Sequence, residues 1–446
     1  MNNQTTTLDS FDQSKRLNIL AAIAAAEKFP ASDNGPINLH LHTFFSYNAN
    51  GWSPAHLAYE CRRQGLYAAA ICDFDVLDGL EEFLAAGRLL GLRTAAHLET
   101  RAYFPEYAQV DISSPGEPGV TYIMGGAFPR LPAAATPAGI ELQALKQRAR
   151  ERNTALVNRI NAALPDIAVD YDSAVSPLTP ADGATERHII TAYRNKIENL
   201  FSAQETRAKY LAELLNLTAP QAEAVLNNIP ALEEALRSRL AKRGGPGYEQ
   251  PSPDTFPVVD KFVAWVRDCQ AIPLVTWLDG TSEGESNPDA LLDCLAAKGC
   301  AGLNIIPDRN WNIKDPEQAD VKRAHLAAMV NAAAKRAMPV NIGTEMNKGG
   351  LPFHDDINGP VLKEWRALFM EGAQVMIGHT LLARYAGFGY LDEAAGTEYP
   401  SLEDRNRFFA AVGALPPLNQ STANMLEDSG PEKALDWFHD KIKGTQ

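Results

Sequence analysis

The chain has 446 residues, 45% of them hydrophobic and 22% charged, with a formal net charge of −14. That length suits one large catalytic domain with an inserted or appended one, and no apolar run approaches the roughly 18 residues of a membrane span. So acidic a chain is a poor partner for duplex nucleic acid, which demands clustered Lys and Arg, whereas a small anionic ligand needs only a few local cations.

Residues 1–36 read as an N-terminal helical segment. The stretch Leu17 to Ala26 resembles a weak signal peptide, but Asp9 and Asp12 precede it and no clean cleavage site follows, so an amphipathic opening helix explains it better. Residues 37–129 alternate strand and helix signals. Ile37 to Thr43 predicts a strand, Ser53-Pro54 caps a helix that stops at Gly65, and Ala68 to Cys72 predicts a buried strand. A helix over Leu80 to Leu90 ends at Gly91, and Arg93 to Tyr103 and Thr121 to Gly125 predict further strands. From 130 to 255 strand signals fade and charged, Ala-rich helices dominate, among them Leu142 to Ala163 and Gln221 to Lys242, which marks a helical insertion.

Alternation resumes over 256–390. Strands are predicted at Pro273 to Thr276, Gly302 to Ile306, Met338 to Gly343 and Gln374 to Ile377, with a clear helix over Ala319 to Ala337. Repeated units of this kind predict a parallel sheet, open or closed into a barrel. Residues 391–446 read as a helical tail. The five cysteines (Cys61, Cys72, Cys269, Cys294, Cys300) are odd in number and lack CxxC spacing, which fits buried thiols in a reducing, cytoplasmic setting.

The sharpest chemical signal is His40-Leu41-His42 at a strand end. Alternation along a strand puts both imidazoles on one side, at a spacing that lets them share one metal ion. Glu99 and Glu345 end later strands at the same level, and active sites of β/α folds gather at the carboxyl ends of strands. Two nitrogens and two oxygens suit a divalent transition metal (zinc, manganese or iron) better than calcium. Asp73 can orient a ligating imidazole, while Asp75 reads equally well as a cap.

His40-Leu41-His42-Thr43 with Ser46 resembles the first motif of the polymerase and histidinol phosphatase (PHP) family. Ala69 to Asp75 resembles its second motif and Ala96-His97-Leu98-Glu99 its third. Thr185-Glu186-Arg187-His188-Ile189 resembles an Arg-His segment of family phosphoesterases with helical inserts. The resemblance covers 37–125 and, more weakly, 256–380. It implies an α/β fold, a distorted (β/α)7 barrel with a helical insertion and a helical tail, and hydrolysis of phosphate esters with up to three metals.

Family histidines fall here on Asn48, Phe74, Tyr122 and Trp277, and the terminal aspartate and histidine fall on Glu345 and Asn347. The resemblance therefore implies one metal held by His40, His42, Glu99 and Glu345. A phenolate at Tyr122 is the one way to rebuild a second position. With one metal, cations must complement an anionic substrate. Arg187, His188, Arg101 and Lys348 are the substrate-binding candidates, with Arg130 and Arg309 behind them. His379, after the predicted last strand, reads equally as a general acid or base and as a structural histidine. Asp73 joins it as a catalytic candidate. The expected function is a phosphoesterase acting on a small phosphorylated metabolite or nucleotide. A non-phosphate metal enzyme (sugar isomerase, lyase or ester hydrolase) and a non-catalytic metal-containing binding protein stay open as alternatives.

Overall fold

The computed structural model describes residues 5–444; the outermost positions of the N-terminal segment (1–4) and of the tail (445 and 446) lie outside them. Seven strands make one sheet in chain order: β1 Ile37–Leu41, β2 Ala68–Phe74, β3 Arg93–Tyr103, β4 Val120–Gly126, β5 Ile272–Trp277, β6 Gly302–Ile305 and β7 Val340–Ile342. The sheet closes on itself. A parallel bridge joins Leu41 to Glu345, with His42 N donating to Glu345 O at 2.9 Å and Glu345 N to His40 O at 2.7 Å. Closure needs a glycine at 343, where a Cβ would lie 2.4 Å from His40 Cβ and 2.5 Å from His40 N. The fold is an α/β barrel.

Two features depart from a simple repeat of parallel units. First, β4 runs antiparallel to both β3 and β5. Its link from β3 holds no long helix to carry the chain back down the barrel, so the strand returns directly. Residues after β4 therefore emerge at the amino-terminal end of the other strands, and Arg130, which donates to Arg384 O there, is nowhere near the strand-end acids. Second, the predicted strand Gln374 to Ile377 is helical. It lies inside a helix, Arg366–Leu381, whose residues from Val375 to Thr380 are all buried. A helix enclosed on every side shows no polar face, so its short apolar run has no period to separate it from a core strand.

The other elements, in chain order, are α1 Gln13–Ala26, α2 Pro54–Arg63, α3 Leu80–Leu90, α4 Pro137–Ala163, α5 Glu186–Leu200, α6 Gln204–Leu215, α7 Ala219–Leu226, α8 Ile229–Leu240, α9 Val259–Asp268, α10 Pro288–Lys298, α11 Asp308–Trp311, α12 Pro316–Lys335, the α13 helix at Arg366–Leu381, α14 Glu393–Glu398, α15 Leu402–Ala414, α16 Gln420–Ser429 and α17 Pro431–Lys443. The helix expected over Gln221 to Lys242 is two, α7 and α8. Asn227 ends the first and the Asn228 side chain caps the second, with Pro230 in its first turn.

Residues 157–241 build a hydrophobic cluster of their own, with Ile160, Tyr193, Leu211, Leu236 and Leu240 at its centre. This small body sits over the carboxyl ends of the strands. Thr179 Oγ1 donates to Phe44 O at 3.0 Å, Arg152 to Asp75 at 3.2 Å and the Tyr47 hydroxyl to Glu233 at 3.3 Å. No helix among the described residues is long and apolar enough to cross a membrane.

Candidate metal centre

Three side chains meet inside the carboxyl end of the barrel. His40 and His42 come from β1 and the turn after it, and Glu99 from β3. They are the one group of three or more His, Cys, Asp and Glu ligand atoms among the described residues that could hold an ion, with all atoms within 4.8 Å of one another. Glu99 Oε2 is 3.4 Å from His40 Nε2 and 3.7 Å from His42 Nε2. Both separations are too long for a charge-assisted hydrogen bond, which sits near 2.7–2.9 Å. All three atoms are buried with no hydrogen-bond partner. Two donors on one tetrahedral ion with bonds of about 2.0–2.1 Å are roughly 3.3–3.4 Å apart. The donor set and its spacing therefore fit a divalent transition metal.

The surroundings prepare His42 for that role. Its Nδ1 is 3.2 Å from Ser46 Oγ, and the Ser46 hydroxyl donates its single proton to Asp73 Oδ1 at 2.6 Å. Ser46 can then only accept, so His42 carries its proton on Nδ1 and keeps the Nε2 lone pair. Burial, then the neighbouring His40, lowers the His42 pKa to about 3, so the ring stays neutral. The Phe74 ring stacks on it at 5.2 Å with an interplanar angle of 1°.

Asp73 also accepts from Thr43 N and Thr43 Oγ1, both at 2.7 Å. It ties the turn after β1 to β2 and acts through Ser46, a positioning residue rather than a proton donor to substrate. Burial lifts it to about 6 against those hydrogen bonds. His40 is a different case: burial is the largest influence and lowers its pKa, but the Glu99 and Glu345 carboxylates together outweigh it and the net shift is upward. Glu99 is itself raised, by burial acting against His40.

Glu345 does not join the three donors. Its carboxylate is held by Arg309 at 3.1 and 3.3 Å, with Asn347 Nδ2 at 3.4 Å. The Arg309 guanidinium overcomes burial and keeps its pKa below the usual range. Glu345 and Met346 both have left-handed backbones (φ 65° and 59°), a strain on the order of 1–3 kcal/mol each. The bridge to β1 and the bond from Ala49 N to Met346 O at 2.9 Å hold it. Glu345 thus stands at the rim, close enough to bias both imidazoles electrostatically.

Searches with the chain find no matching family model and no matching curated protein. Among solved structures it is similar to an amidohydrolase from Chromobacterium violaceum with bound sulfate and no metal (15% identity, TM-score 0.46, 75% of this chain and 97% of that one). It is also similar to a candidate metal-dependent phosphoesterase from Bifidobacterium adolescentis (18% identity, TM-score 0.46, 76% and 98%). What the site can do follows from its own side chains.

The remaining expected site residues divide. Arg187, on α5, lies over the Tyr47 ring at 5.6 Å, pairs with Glu234 at 3.5 Å and is near enough to His42 to oppose its protonation. Arg101, two residues beyond Glu99 on β3, donates to Glu117 at 2.8 Å and covers the Phe256 ring. His188 is spent on its own helix: its Nδ1 accepts from Thr185 N at 3.1 Å as half of a capping box, and burial lowers it to about 4. Lys348 is exposed on the loop after β7.

His379 is the clear correction. It lies in α13, at the far end of the barrel, where Nδ1 accepts from Tyr390 N at 2.9 Å and Nε2 donates to Gln270 O at 2.8 Å. With both nitrogens committed to backbone and the pKa lowered to about 4 by burial, it is structural. Trp277 is buried, with its ring edge beside Gly280.

Sequence reading passed over Ser46 as a relay, over Arg237 and over Asn304. Arg237 pairs with Glu186 at 2.6 Å and acts electrostatically on Tyr122. Tyr122 packs edge-on against Phe74 at 6.0 Å, and burial raises its hydroxyl. In the metal-free protein it is therefore a phenol rather than a phenolate at neutral pH.

Proposed function

We propose that the protein is a metal-dependent hydrolase with one divalent ion at His40, His42 and Glu99, acting on a phosphoester of a small anionic metabolite. The observation that carries this reading is the set of three buried ligand atoms without partners at metal spacing. When bound, the ion would polarise an ester oxygen and lower the pKa of a water. The rest falls to the chain. Burial and the Ser46–Asp73 relay keep the His42 lone pair available. The Tyr122 hydroxyl holds its proton and can donate to a substrate oxygen. Arg187 from the insert and Arg309 beside β7 supply positive charge on either side of the donors, which suits an anion in a water-poor site.

The test uses protein stripped of metal and reloaded with zinc, manganese or ferrous iron. Para-nitrophenyl phosphate and nucleoside monophosphates should turn over with the loaded protein, and chelation or His42→Ala should remove the activity. Arg187→Ala should raise KM for the phosphoester. Turnover confined to uncharged esters or sugars would refute the substrate class. Full phosphoester turnover in chelator would refute the metal.

A further inference from the structure

His42 owes its free Nε2 lone pair to a hydroxyl that can only accept. His40 has no such relay. Its Nδ1 faces the side-chain amide of Asn304, on β6, with 3.1 Å to Nδ2, and both residues are fully buried. An amide nitrogen only donates, so in this arrangement Nδ1 is the unprotonated nitrogen and a neutral His40 carries its proton on Nε2. That proton points toward Glu99 and blocks the metal. The other end of the same amide, Asn304 Oδ1, is buried without a partner. Turning the amide by half a revolution places that oxygen against Nδ1. Nothing is lost at Oδ1, and the neutral ring must then hold its proton on Nδ1.

The neighbourhood supports either setting. Thr276, Asn304 and Asn341 are register neighbours on β5, β6 and β7, so their side chains share the face that looks into the barrel. Asn341 is buried with both its oxygen and its nitrogen unpartnered. Asn341 thus bonds neither end of Asn304 and locks neither setting of its amide.

We infer that Asn304 is the positioning residue for His40: its amide oxygen accepts from His40 Nδ1–H and so turns the Nε2 lone pair toward a divalent metal. This rests on the metal reading of the site. Coupling of this kind is strong, since outer partners of a ligating histidine commonly change affinity by about 10–100-fold.

The experiment measures zinc affinity by calorimetry and histidine tautomers by long-range 15N–1H NMR, with His40 assigned through His40→Gln. Wild type should show His40 with its proton on Nδ1 when zinc is bound. Asn304→Asp, which can only accept, should give that tautomer before zinc is added and should bind zinc at least as tightly as wild type. Asn304→Leu should lose that preference and bind about 10–100-fold more weakly. Equal affinity and an unchanged tautomer in Asn304→Leu would overturn the inference. So would zinc binding weakened as much by Asn304→Asp as by Asn304→Leu, since that is what mere packing would give. If Asn304→Leu does not fold, the tautomer and affinity of Asn304→Asp decide alone. A wild-type protein that binds no zinc, manganese or ferrous iron would instead refute the metal reading itself.

Discussion

Replacing Glu99 by leucine should stabilise the metal-free protein while abolishing its metal binding. The buried carboxylate has one oxygen with no hydrogen-bond partner and lies 3.4 and 3.7 Å from two imidazole nitrogens that also lack partners. A buried acceptor left unsatisfied costs about 1–3 kcal/mol, and the leucine removes that cost. Loss of the attraction to His40 subtracts from that gain without reversing it, because without Glu99 burial favours the neutral imidazole and no unpaired charge stays buried. At an unfolding entropy of about 2.1 cal/mol/K per residue, 1 kcal/mol moves Tm by roughly 1 °C in a chain of this size. Thermal unfolding in chelator should thus place Glu99→Leu about 1–3 °C above wild type. Zinc at about a thousand times its dissociation constant adds about 4.1 kcal/mol to wild type and nothing to the variant, so the order should invert. A variant less stable than wild type in chelator would refute the reasoning, since Glu99 would then have partners of its own without metal.

Arg309→Gln should tighten zinc binding several-fold in calorimetry, because the carboxylate of Glu345, now tied at 3.1 Å, is released toward the donors; weaker binding would show that Arg309 supports the site. The same variant should lose acid sensitivity. Glu345 is depressed in the folded state, so its contribution is present above the unfolded carboxylate value and disappears as pH falls through the folded one. Asp73 has the opposite sign. Its folded pKa of about 6 lies above the unfolded value, so stability falls as pH rises from about 4 to 6, by up to about 3 kcal/mol. Urea denaturation across that range should show the slope in wild type and its absence in Asp73→Asn. His379→Ala should lower stability by about 2–4 kcal/mol through its two backbone bonds and lost packing, with zinc affinity and turnover unchanged; a fall in turnover at full metal loading would restore it as a candidate catalytic group.

Much of the site is legible in the sequence because its parts are local. His40 and His42 share a side by strand alternation alone, and Glu99 lies within a strand whose limits the sequence marks at Arg93 and Tyr103. What is not legible depends on contacts between distant segments. Asn304 is 264 positions from His40, and an asparagine in a short strand carries no signal of its own; only closure of β1 against β7 brings β6 to His40. Glu345 illustrates the same limit. Its strand-end place is readable, but the left-handed backbone at 345 and 346 and the reach of Arg309 from α11 decide where its carboxylate points. The antiparallel course of β4 follows from a missing helix in the 104–119 link, and that reversal alone removes Arg130 from the site.

Charge balance ties the one-metal proposal to these particulars. Glu99 among the donors and Glu345 at the rim place two carboxylates near two imidazoles. One dication would balance both, but only if the carboxylates shared it. The fold instead gives Glu345 a guanidinium of its own at 3.1 Å, leaving Glu99 and the two imidazoles to the ion with one unit of positive charge in excess. Phe74, stacked flat on His42, offers no lone pair where another donor would be needed. Arg309 thus takes the electrostatic place of a second cation. Unlike an ion, it is held by the backbone, cannot be chelated away, and sits where an incoming anion would compete with Glu345 for it. Zinc and inorganic phosphate should therefore each tighten the binding of the other by the same factor, as linkage requires. That mutual gain should vanish in Arg309→Gln, where phosphate has no guanidinium to take from Glu345.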